Sequence, residues 1–249
     1  MNFFTRNQTS SLSNAIQPLV HLDYKITHDS LPHESFKKLP PDVQEYAQEQ
    51  YRLIQVNPKQ AIMSLFELVE KYPDVPVFYN YLRVAYEVRG KKEKSDAILE
   101  QVYAKHPDYL FAKTNYAFRC LRHGLSEEIP DIFEHKFDLK LLYPQREIFH
   151  ISEFTAFTGV MALYFLMIED NKNAETYYMQ LKQFAPTHHL TEIVKYQLYP
   201  DLLPRLLDEM GIKLNKLLAS LLGRFGKQDT SSNEKNGKST QPYDYSKYF

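Results

Sequence analysis

A single cysteine, Cys120, in 249 residues excludes an intramolecular disulfide framework and any zinc site built from several thiolates. Seven glycines, set against 19 tyrosines and 16 phenylalanines, are too few for a turn-rich β fold or a dinucleotide-binding loop. They suit helices packed by aromatic side chains. No stretch reaches the roughly 18–20 apolar residues of a membrane span, and the opening MNFFTRNQTSSLSN lacks the apolar core of a secretory signal, so a cytoplasmic protein is expected. With 30 basic and 31 acidic residues the formal net charge is −1, which gives no overall field to attract nucleic acid, and no nucleic-acid partner is expected.

Catalytic signatures are missing too. The chain has no G-x-x-x-x-G-K, no G-x-S-x-G and no H-E-x-x-H. The arm HLDYKITHDSLPH groups His21, Asp23, His28, Asp29 and His33, but at no helical ligand spacing, so these read as surface residues and no metal is expected. His188 and His189 follow Pro186 and read as exposed residues capping a helix start. Cys120 and His123 lie one helical turn apart, yet Cys120 shares a face with Tyr116 and reads as a small buried hydrophobe. The expectation is a protein that works by binding, with no cofactor.

What the chain does contain is a period. Pro73 and Pro107 lie 34 residues apart, and so do Gly90 and Gly124. PDVPVFYNYLRVAYEVRG therefore lies in register over PDYLFAKTNYAFRCLRHG. Each copy opens on Pro-Asp, carries an aromatic-rich helix and closes on a glycine suited to the left-handed residue of a tight helix–helix corner.

The flanking sequence continues the pattern less regularly. Pro32, Pro40 and Pro41 keep residues 1–41 from forming a long helix, and an irregular arm is expected there. Asp42 and Glu45 form a D-x-x-E capping box before a stripe of Val43, Tyr46, Ala47, Tyr51 and Ile54, ending near Val56. Asn57 and Pro58 then supply an N-cap and a first helical residue for a second helix. In the third unit Pro130 shortens or displaces the start of the second helix. Later unit boundaries fall at Pro144 and Pro186, with a helix expected over about residues 146–168 whose end, VMALYFLMI, is apolar on every side.

The 34-residue period and its helix-turn-helix content resemble the tetratricopeptide repeat over residues 42–186, most specifically in the two central units. The resemblance implies an all-α, right-handed α-solenoid of about four helix-turn-helix units whose first helices line a concave groove for a peptide or partner protein. Carried onto this chain, the groove residues are Val77, Asn80, Tyr81, Val84 and Glu87 from one unit and Phe111, Thr114, Asn115, Phe118 and Arg122 from the next. Asn115 falls where the family often has an Asn that bonds an extended ligand's backbone. With Arg122 the one basic residue in that set, a carboxylate clamp is not implied. An apolar, aromatic or helical ligand is.

Residues 42–190 thus form the repeat domain and 191–227 a C-terminal helical cap, before a Ser/Thr/Asn/Lys-rich tail, 228–249, too polar to fold. Within the cap, IKLNKLLASLLGRFGK is strongly amphipathic: Leu214, Leu217, Leu218, Leu221, Leu222 and Phe225 share one arc, with Lys213, Lys216, Arg224 and Lys227 opposite. Three roles follow. The helix covers the end of the array, docks in the groove in cis or on a partner, or lies on an anionic membrane surface through residues 212–227. The leading expectation is a scaffold or adaptor, and the alternative a peripheral membrane protein.

Overall fold

The computed structural model describes residues 21–200. Short elements come first: β1 (Lys25–Thr27) and α1 (Glu34–Lys37). Two long hairpins follow, α2 (Pro41–Val56) with α3 (Pro58–Lys71) and α4 (Pro76–Val88) with α5 (Lys92–Lys105). Helix α6 (Leu110–Arg122) leads into a 3-10 turn (Ser126–Glu128) and two single-turn helices, α7 (Ile129–Ile132) and α8 (Leu139–Leu142). Then come β2 (Ile148–His150), the hairpin α9 (Ile151–Met167) with α10 (Asn171–Phe184), and α11 (His189–Leu198), which packs on both of them. The chain is predominantly helical.

Two backbone devices recur and explain the period. The first is an X-Pro joint at which one helix gives way to the next. Tyr72, His106, Tyr143 and Ala185 each precede a proline, whose ring disfavours the α conformation in the residue before it. All four adopt φ between −142° and −128° with ψ between 56° and 73°. Each still donates its N–H to the carbonyl four residues back, at 2.8–2.9 Å, which closes the last turn as the chain leaves the helix. Successive joints are tied together: His106 Nε2 donates to the Pro73 carbonyl at 3.0 Å, and the Tyr143 hydroxyl donates to the Asp108 carbonyl at 2.9 Å.

The second device is the corner inside a unit. Gly90 (φ 65°) and Gly124 (φ 75°) occupy the left-handed position, and the next N–H reaches back five residues, Lys91 to Tyr86 at 2.9 Å and Leu125 to Cys120 at 3.0 Å. The α9–α10 corner makes the same bond, Asp170 to Phe165 at 2.8 Å, but its left-handed residue is Glu169 at φ 62°. A side chain there costs roughly 1 kcal/mol more than glycine. Glu169→Gly is accordingly expected to stabilise the protein by about 1 kcal/mol, read as a rise of about 2–4 °C in Tm; an unchanged or lower Tm would show that the Glu169 side chain contributes something the corner needs.

The structure departs from the sequence expectations at several points. Residues 25–27 of the arm are not irregular: β1 pairs in parallel with β2, Lys25 opposite Ile148 and Thr27 opposite His150, with Tyr24 buried edge-on against Phe149 at 5.0 Å. Consequently the helix expected from residue 146 begins only at Ile151. The Asp42–Glu45 capping box does not form, because Pro40 is the N-cap of α2 and makes no side-chain capping bond. Asn57 does cap α3, accepting from the Gln60 N–H at 3.3 Å. Around Pro130 the second helix of the third unit shrinks to the four residues of α7, leaving three hairpins of two long helices among the described residues where about four were expected.

Buried Lys113 on α6 stitches that irregular region down. Its Nζ donates to the Ile132 carbonyl at 3.0 Å and to Glu134 at 3.2 Å, covering the carbonyl end of α7. Helix α6 also joins the two larger apolar clusters. Ala112 packs with α2–α5, whereas Leu110, Ala117, Cys120 and Leu121 pack with α7–α9. Between them Tyr103 and Tyr116 stack at 4.2 Å.

Candidate functional site

A groove of about 540 Å³ runs between α4, α6, the start of α9 and the α10–α11 joint. Helix α4 contributes Asn80, Arg83, Val84 and Glu87, and α6 contributes Phe111, Asn115, Phe118 and Arg122. At 100° per residue each set occupies a single stripe. Leu99 and Asp96 reach in from α5, Ile151, Ser152 and Thr155 from α9, and Phe184 with 185–190 closes the far wall. Gly159 holds that wall in place. A Cβ there would stand 2.7 Å from Leu190 Cδ1, so its absence lets α11 approach α9 closely.

Seven of the ten residues expected to face the groove do so: Asn80, Val84, Glu87, Phe111, Asn115, Phe118 and Arg122. Val77, Tyr81 and Thr114 do not. They are 3%, 1% and 0% exposed. The correction has a geometric cause. Helix α4 is covered by α2, α3 and α5, so only its 80/83/84/87 arc stays open. Residues 77 and 81 lie on the next arc, where Tyr81 meets Tyr51 of α2 at 4.3 Å. Burial pushes the Tyr81 phenol well above its ordinary range. Thr114 turns its hydroxyl onto the Phe111 carbonyl, 3.4 Å away.

Sequence reasoning missed Arg83 and everything from α9 and α11. Arg83 had a signal: it sits four residues before Glu87, with which it forms an ion pair in the groove wall. Its Nε is buried with no hydrogen-bond partner. The contribution of α9 had no signal, because Ile151, Ser152 and Thr155 of its first turns line the groove only through the packing of α9 against α6, which is remote in sequence from them.

Polar groups across the floor are few and directional. Asn115 Nδ2 donates to Asn80 Oδ1 at 3.3 Å, linking α4 to α6. That bond uses one amide's donor and the other's acceptor, so Asn80 keeps N–H donors and Asn115 keeps its carbonyl oxygen. A peptide unit offers the complementary pair. His28 and the pair His188–His189 stand at the edge. Burial lowers the pKa of both His188 and His189, to about 4 for His188, which also feels its neighbour. His188 and His189 are therefore neutral at pH 7.

Among the described residues no three His, Cys, Asp or Glu side chains are placed to hold a metal, and no helix is long and apolar enough to cross a membrane. Cys120 is 3% exposed and burial raises its thiol pKa, the opposite of an activated nucleophile. Residues 212–227, with Lys213, Lys216, Leu217, Leu221, Arg224 and Phe225, lie outside the described residues. Among the described residues, the fold and site thus define a helical protein with an aromatic-lined groove between its helices. Compared with known proteins, the chain matches no family model, no curated protein and no solved structure.

Proposed function

We propose that this chain is a non-enzymatic, cytoplasmic adaptor of the tetratricopeptide type, a right-handed solenoid that captures an apolar or aromatic peptide or helix from a partner protein in the groove between α4, α6 and α9. The observation that carries the reading is the convergence of Val84, Phe111 and Phe118 around the Asn80–Asn115 bridge. Aromatic and aliphatic walls supply contact area, while the two amides fix a ligand's main chain. The groove's two guanidiniums do not form a carboxylate clamp, since Arg83 is already paired with Glu87.

The test is selection from a random peptide library on the intact protein, followed by titration of the selected peptides. Phe118→Ala and Asn115→Ala together are expected to weaken binding about ten-fold or more. Selected sequences should be rich in Leu, Phe or Tyr. Peptides that bind the double variant as well as the wild type would sink the assignment.

A further inference from the structure

We propose that in the full-length chain the groove is occupied in cis by residues 212–227, which a partner's segment must displace. The inference rests on the groove reading above and names the regulation of that site.

Three observations select this occupant. The first is surface chemistry: Val84, Leu99, Phe111, Phe118, Ile151 and Phe184 present apolar surface in one trough. Segment 212–227 offers the matching arc of Leu214, Leu217, Leu218, Leu221, Leu222 and Phe225. The second is charge. Beside the groove, and sharing Asp96 with it, a second hollow between α5 and α6 is lined by Glu93, Glu100 and Glu128 around Arg119. With Glu87, Arg83 and Arg122, the two together carry five carboxylates against three guanidiniums. Lys213 and Arg224, which border the apolar arc beside Leu217, complement that excess.

The third is the tether. Helix α11 begins in the groove wall at His189 and Leu190, and the described chain ends shortly after it, at Pro200. From Pro200 to Lys213 the backbone spans up to about 45 Å, ample to return along an α11 of roughly 15 Å. A segment held so close acts at an effective concentration in the millimolar range, so even a modest intrinsic affinity keeps the groove filled.

A labelled synthetic peptide of residues 212–227 is titrated against the full-length protein and against full-length Leu217→Asp/Leu221→Asp, both changes lying outside the described fold. The variant is expected to bind the peptide about ten-fold or more tightly than the wild type, because its own segment no longer competes. Adding Phe118→Ala should remove that gain. Equal affinity for both proteins, or binding to neither, overturns the proposal. Binding to vesicles containing anionic phospholipid but to neither protein overturns it in favour of a membrane anchor. If library-selected peptides still bind in a Phe118-dependent way, only the cis occupant falls and the groove function stands.

Discussion

Tyr81→Ala is expected to cost about 3–5 kcal/mol of unfolding free energy, whereas Phe118→Ala costs about 1 kcal/mol. Both are aromatic residues, on α4 and α6, and the family resemblance groups them as groove positions. Their surroundings differ. Tyr81 is 1% exposed and packed on Tyr51, so truncation opens a cavity between α2 and α4. Phe118 is half-buried at the groove surface, and its removal widens a space that is already open. Urea titration of the two variants reads stability, and peptide titration reads the site. Tyr81→Ala should lose stability while its folded fraction keeps its affinity, and Phe118→Ala should show the reverse. Matching losses of stability would mean that the boundary drawn here between core and groove is misplaced.

The contrast shows what the sequence could reveal. Prolines 73, 107, 144 and 186 locate four joints between helical segments, because pre-proline sterics act on two adjacent residues and need no distant partner. Gly90 and Gly124 mark two corners for a similarly local reason. The α9–α10 corner was hidden, since Glu169 accepts the same left-handed conformation at an energetic cost and so leaves no glycine to see. Non-local features were illegible. Residues 25–27 pair with residues 148–150 across more than a hundred positions, and no local pattern announces a three-residue strand. Likewise, a stripe on α4 tells that one side is apolar, but which arc faces a cavity depends on neighbours that the stripe does not name. Asn80 and Val84 line that cavity, whereas Val77 and Tyr81 are buried against neighbouring helices.

Acidification from pH 7 towards pH 4 is expected to destabilise this protein through histidine caps. His33, His150 and His188 each precede a helix, α1, α9 and α11, and each accepts a backbone N–H on Nδ1, from Ser35 at 3.3 Å, Ser152 at 3.2 Å and Leu190 at 3.3 Å. An Nδ1 that accepts carries no proton, so these caps require neutral imidazole. Protonation removes the acceptor and sets a cation against the positive end of a helix. Burial is the leading cause lowering all three pKa values from 6.5. For His150 the Glu153 charge opposes burial, while His28 acts both ways, lowering the pKa through its charge and raising it through its backbone hydrogen bond; for His33 the lowering neighbours are His106 and Arg146, opposed by Glu153 and Glu34; for His188 the neighbour is His189. The sign follows. Between the ordinary value of 6.5 and the lowered folded value the unfolded chain binds more protons, so the contribution is complete above about pH 6.5 and is lost as pH falls, down to about pH 4 for His188. His188→Asn keeps an oxygen acceptor and cannot titrate. The urea midpoint of the wild type should therefore fall between pH 7 and pH 5 more steeply than that of His188→Asn. A wild-type midpoint that stays level over this range would show that the caps tolerate the proton, and that the neutral groove edge at His188 is not maintained by burial.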